Sequence, residues 1–117
     1  MTEGENKVTE EQDIKPLPAL VYEHTVNGKR VTLKRRLPGK DARGLAELIN
    51  RVGEVVNDPL MLVPLGLALI ESWEFEGSPQ EATSYDELDV FDELYPLASV
   101  LIGYYTARTN RMATVKN

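Results

Sequence analysis

Asp86, Glu87, Asp89, Asp92 and Glu93 place five carboxylates within eight residues, and His24 is the chain's one imidazole. Carboxylates at that density suggest a calcium loop. An EF-hand loop needs oxygen ligands at alternating positions, a glycine at the sixth and a glutamate at the twelfth. DELDVFDELYPL puts Phe91 at the sixth position and Leu97 at the twelfth. Helix capping and a solvated helix face account better for these acids. His24 lies mid-strand with no serine or cysteine partner pattern nearby, which assigns it to packing or to the surface. Gly39-Lys40 has the end of a phosphate loop, but Lys34 and Asp41 occupy the positions of its first glycine and its hydroxyl residue. The absence of cysteine removes disulfides, thiolate metal sites and cysteine nucleophiles together. No catalytic residue, metal site or cofactor is expected, and the chain reads as a non-enzyme.

Two other groups of residues can recognise partners. Lys29, Arg30, Lys34, Arg35, Arg36, Lys40 and Arg43 put seven cations into fifteen residues. A β-ribbon can lay such residues along phosphates. The same residues suit an acidic protein partner or a solvated strand face. Their face carries no stacking aromatics and the rest of the chain is acidic, so nucleic acid is the least favoured. The second group is Leu60–Ile70, eleven residues without a charge or a hydrogen-bonding side chain, followed by the alternation Trp73-Glu74-Phe75-Glu76. A helix apolar all round is normally buried all round. A small domain has difficulty burying all of it, so part of this surface is a candidate partner groove: Leu60, Met61, Val63, Leu67, Ile70, Trp73 and Phe75. The segment is about half the roughly 20 residues a membrane span requires, so no membrane is expected.

Both groups must be positioned by local structure. LVYEHTV and KRVTLKR flank Asn27-Gly28, the favoured two-residue hairpin turn. That loop sets His24 opposite Val31 and Tyr22 opposite Leu33, and gives an apolar face of Tyr22, His24, Val26, Val31 and Leu33. Leu45, Leu48, Ile49, Val52, Val55 and Val56 then form one helical stripe behind Asp41 as N-cap. Asp58-Pro59 starts a second helix running to about Trp73, which Pro64 bends or delays. Ser84 and Glu87 stand at capping-box spacing. Pro96 separates a short helix over 85–94 from a longer one carrying Leu97, Val100, Leu101, Tyr104 and Arg108. The fold class is α+β: an N-terminal β-hairpin packed on a small bundle of about four helices.

The 117 residues suit one domain, placed at 17–108. Residues 1–16 hold five acids and almost nothing apolar, so a disordered acidic tail is expected. Residues 109–117 lack an apolar stripe, and a flexible C-terminus is expected there. Without a signal-peptide layout the chain reads as soluble and intracellular. The net charge of −6 is segregated: residues 15–51 carry nine bases against three acids, and residues 54–93 carry eleven acids and no base. Such a map favours homo-oligomers built by head-to-tail contacts.

The hairpin YEHTVNGKRVTLK, an amphipathic helix, an apolar helix ending ESWEFEG and an acidic-capped helical tail together resemble the small tail assembly chaperones of long-tailed bacteriophages. The likeness spans roughly residues 20–105. It implies a non-enzymatic protein of the host cytoplasm during infection. Its partner would be the tape measure protein, a long helix-rich chain that it keeps soluble until the tail tube forms. It also implies a longer second product made by a one-base ribosomal slip; Val115-Lys116-Asn117 can be encoded GTA AAA AAC, which contains the heptamer A AAA AAC. Competing classes are a small phage structural protein, such as a head decoration or connector component, and a nucleic-acid-binding regulator using the basic hairpin.

Overall fold

The computed structural model describes residues 20–116, so the acidic tail expected at 1–16 lies outside the described residues. Strand β1 (Glu23–Val26) pairs antiparallel with β2 (Lys29–Leu33) in the expected register, His24 opposite Val31 and Val26 opposite Lys29. The Leu33 amide extends the ladder by donating to the Tyr22 carbonyl at 2.7 Å. Between the strands, φ is 50° at Asn27 and 76° at Gly28. Few residue pairs other than Asn-Gly accept two such angles in succession. Val26, Val31 and Leu33 are buried, while Thr25 and Arg30 face out.

The sheet has a third strand that the sequence reading missed. The apolar helix stops at Leu69, and Ile70–Trp73 is strand β3, antiparallel to β2 with Val31 opposite Trp73. The order is β1-β2-β3, with an irregularity between Thr32 and Leu33. A β-branched and an aromatic residue at its two ends suit a strand. The Leu69 carbonyl accepts from the Lys34 amide at 2.7 Å, and Glu74 continues the pairing to Arg30 at 3.0 Å.

The first predicted helix is also corrected. It divides into α1 (Gly39–Ala42), α2 (Leu45–Asn50) and a 3₁₀ turn at Val52–Val56. Gly44, at φ 84°, breaks the first junction, a conformation an L side chain rarely adopts. Arg51, at φ −104° and ψ 19°, breaks the second. Asp41 lies inside α1 rather than capping it, and the cap position is Pro38. Leu45 is buried and Leu48, Ile49 and Val55 pack against the core, but Val56 leaves the stripe and is 71% exposed.

Pro59 opens a 3₁₀ turn, Pro59–Leu62, and Pro64 falls in the first turn of α3 (Val63–Leu69). There its missing donor needs no partner, so the proline delays the helix rather than bending it. Ser84 and Glu87 do not form a capping box. The Ser84 hydroxyl instead accepts from the Ser78 amide at 3.0 Å. The box forms one turn later: the Asp89 carboxylate accepts from the amides of Phe91 and Asp92, and Glu93 Oε1 accepts from the Asp89 amide. A wide π-helical turn, Val90–Leu94, runs directly into α4 (Tyr95–Lys116), so Pro96 lies in a first turn and separates nothing. Helix α4 continues to Lys116, through the stretch from 109 onward where a flexible C-terminus is expected.

Leu97, Ala98, Leu101 and Tyr104 bury one face of α4 against α3 and β1. Tyr85, fully buried, lies across α3 at Gly66, where any Cβ would collide with its ring, and its hydroxyl donates to the Pro79 carbonyl at 2.7 Å. Among the described residues, no helix is long and apolar enough to cross a membrane.

Candidate protein-interaction surface

The aliphatic segment divides sharply by depth. Leu62, Leu65, Leu69 and Ile70 are almost fully enclosed, and Phe75 is 7% exposed. Met61, Val63, Leu67 and Trp73 are half-buried, with Val63, Leu67 and Trp73 packed against the core. Leu60, at 38% exposure, is the open member of the seven candidate partner residues. The physical reason is the third strand: Ile70 is drawn into the sheet beside Leu33, and Phe75 packs edge-on to Trp73 at 5.3 Å. Trp73 in turn meets Tyr85 at 4.9 Å and donates from Nε1 to the Gly77 carbonyl at 3.0 Å.

Exposed apolar side chains gather elsewhere, around Tyr95 at the start of α4. The Tyr95 hydroxyl donates to the Val56 carbonyl at 2.8 Å, and the Phe91 ring stands edge-on to the Tyr95 ring at 5.8 Å. The Pro59–Leu62 turn packs against both the Val52–Val56 turn and the Val90–Leu94 turn. The three turns that carry Val56, Leu60 and Phe91 are therefore neighbours in the fold, and Phe91 is 75% exposed. Exposed Asp58, Asp89 and Asp92 lie beside them in the chain and carry negative charge, while Glu54 is paired with Arg51 at 2.9 Å. Helical patterning assigns Val56 to the core and leaves Phe91 undistinguished, so neither could be singled out before the turns were placed.

The seven basic candidates separate into groups. Lys29 and Arg30 stand near the hairpin turn, Lys29 over the Phe75 ring at 5.9 Å and Arg30 paired with Glu23 at 3.5 Å. Lys40 and Arg43 are exposed around α1. Lys34, Arg35 and Arg36 leave the far end of β2, where α4 adds two cations that the sequence reading did not join to them, Arg108 and Arg111. The Tyr104 hydroxyl donates to the Lys34 carbonyl at 2.6 Å, and Arg108 Nη1 donates to Tyr104 Oη at 2.8 Å and to the Arg35 carbonyl at 3.0 Å. Arg35 stacks on Tyr22 at 4.0 Å. These contacts frame a cleft of about 460 Å³, floored by Leu37, Leu69, Tyr104 and Tyr105 and rimmed by Lys34, Arg108 and Arg111. Lys34 and Arg108 pair with no carboxylate among the described residues.

His24 Nε2 lies 3.1 Å from the Val21 carbonyl, a local contact at the entry to β1. Of the acidic cluster, Asp89 Oδ2 and Glu93 Oε1 accept helix-capping hydrogen bonds. Among the described residues no group of His, Asp and Glu is placed to hold a metal ion. Comparison of the chain with protein-family models, curated proteins and solved structures finds no match.

Proposed function

We propose that this chain is a non-enzymatic assembly chaperone of a long-tailed bacteriophage. It would work in the host cytoplasm, holding amphipathic helices of the tape measure protein and keeping that long chain soluble. The observation that carries the reading is the gathering of Val56, Leu60 and Phe91 around Tyr95, with acidic neighbours. An amphipathic helix docks its apolar face on such a surface, and the acidic surround keeps the complex in solution and favours helices with basic flanks. The order of hairpin, amphipathic segment, apolar helix and acidic-capped helical tail supports the same reading through its likeness to the phage chaperones.

Co-expression tests it. The tape measure protein of the same phage should stay in the soluble fraction with the unaltered chain, and precipitate with Phe91→Glu or Leu60→Glu. Both side chains are open to solvent, so circular dichroism of the variants should match the parent. A tape measure protein that precipitates equally with the unaltered chain, or is held equally well by both variants, overturns the reading.

A further inference from the structure

The cleft beside Tyr104 has cations at its rim and no acid in its lining. Lys34 and Arg108 meet no carboxylate among the described residues. An occupant that suits both the rim and the apolar floor must carry carboxylates next to an apolar side chain. The chain itself has such a stretch, Glu10-Glu11-Gln12-Asp13-Ile14, outside the described residues. The place where the described chain begins brings this stretch to the cleft. The register that sets Glu23 opposite Thr32 puts Leu20 level with Arg35, at the end of the hairpin from which Lys34, Arg35 and Arg36 depart. Tyr22 stands edge-on at 5.7 Å to Tyr104, which lines the cleft. Ile14 lies six residues before Leu20, and Pro16 and Pro18 favour an extended chain between them. At 3.1 Å per residue that connection reaches about 19 Å. The helical wall of the cleft, Tyr104 to Arg111, is about 10 Å long.

We propose that this acidic stretch folds back into the cleft of its own chain. Ile14 covers the aromatic floor, and Glu10, Glu11 and Asp13 face the Lys34 ammonium and the Arg108 guanidinium. Charge selects the place. Residues 54–93 hold eleven acids and no base and repel the stretch, whereas the basic block of 15–51 and the last turns of α4 attract it. The short connection raises its effective concentration at the cleft to about the millimolar range, so individually weak contacts are enough. The stretch thereby serves as a built-in cover. Any acidic or phosphate-bearing molecule must displace it to reach the Lys34–Arg108 rim.

Because the chain has no cysteine, a single nitroxide can be placed on Thr9→Cys in the isotope-labelled full chain. At low salt the amide signals of Leu37, Tyr105 and Arg108 should lose intensity, while those of Phe91 and Asp92 should not. Molar salt, where screening shortens to about 3 Å, should restore them. Lys34→Glu should restore them as well. So should the triple change Glu10→Lys, Glu11→Lys and Asp13→Lys, which alters no described residue. A mixture of nitroxide-bearing chain without isotope and isotope-labelled chain without nitroxide should show no loss. Loss in that mixture puts a second copy in the cleft and overturns the proposal. Undiminished cleft signals at low salt, or a loss that survives the triple change, also overturn it. Thirteen residues of α4 separate Tyr95 from Arg108, about 20 Å at 1.5 Å per residue, so client binding around Phe91 stands or falls on its own experiment.

Discussion

The side-chain amide of Asn27 donates a 2.8 Å hydrogen bond to Glu93 Oε2, while Oε1 of the same carboxylate accepts the Asp89 amide at 2.8 Å. One side chain thus caps the approach to α4 and fastens the hairpin turn to it across 66 residues of sequence. Asn27→Gly keeps the positive φ that the turn needs and removes only the amide donor. A double-mutant cycle of Asn27→Gly with Glu93→Ala should therefore show a coupling of about 0.5–1.5 kcal/mol by urea unfolding. Additive losses would mean the contact holds nothing.

Two glycines inside helices should respond to alanine with opposite signs. At Gly66 a Cβ would lie 2.7 Å from two ring carbons of Tyr85, itself fixed by the Pro79 carbonyl. Gly66→Ala should cost about 1–3 kcal/mol through overpacking despite better helix propensity. Gly103 has open space around it on an exposed part of α4. Gly103→Ala should stabilise by about 0.5–1 kcal/mol. Thermal melts of the two variants beside the parent decide both signs.

The displaced capping box makes a similar contrast. Asp89→Ala removes the acceptor for two amides and should cost about 1 kcal/mol, within the usual 0.5–2 for a lost N-cap. Glu87→Ala, at the spacing that looks like a cap in the sequence, should change stability by less than about 0.5 kcal/mol, as exposed sites usually do. Denaturant midpoints at matched slope would separate them. Equal losses would place the cap at Ser84 after all.

Alkaline pH should act through Tyr85. Burial pushes its hydroxyl above the ordinary tyrosine range. The unfolded chain loses that proton near the usual value of about 10 while the folded chain keeps it. The stabilisation is therefore complete below about pH 10 and is lost progressively above it. Melting temperatures should fall between pH 10 and 11, and Tyr85→Phe, which has no proton to lose, should fall less steeply. Parallel curves would remove Tyr85 from the alkaline transition.

How far these features were legible depends on the range over which each is decided. Tyr22 to Leu33 is settled by its own alternation and by Asn-Gly, so the hairpin register could be read directly. The third strand could not: Ile70–Trp73 offers only four residues of alternation after an aliphatic run, and its partner Val31 lies some forty positions earlier. Leu45, Leu48, Ile49 and Val55 show the same apolar spacing whether the helix is continuous or broken at Arg51, so the stripe was legible and the break was not. The surfaces suffered most. Lys34 meets Arg108 only once the open end of the hairpin is laid beside α4. Phe91 and Leu94 are equally apolar in sequence, yet one is exposed and the other buried.

That difference between Phe91 and Leu94 is a matter of rotational phase. The Leu94 amide reaches back five residues to the Asp89 carbonyl at 2.8 Å, one residue more than an α-helical turn spans. Each residue advances an α-helix by about 100°. Deleting a single residue between Asp89 and Leu94 would let the helix close up as an ordinary α-helix, with the Leu97–Leu101–Tyr104 stripe still seated on the core. The wide turn takes up one extra residue within a single turn, so everything upstream would keep nearly its present direction about the axis. The wide turn thus lets this stretch hold one residue more than an α-helix would without redirecting the part of the molecule that carries Phe91.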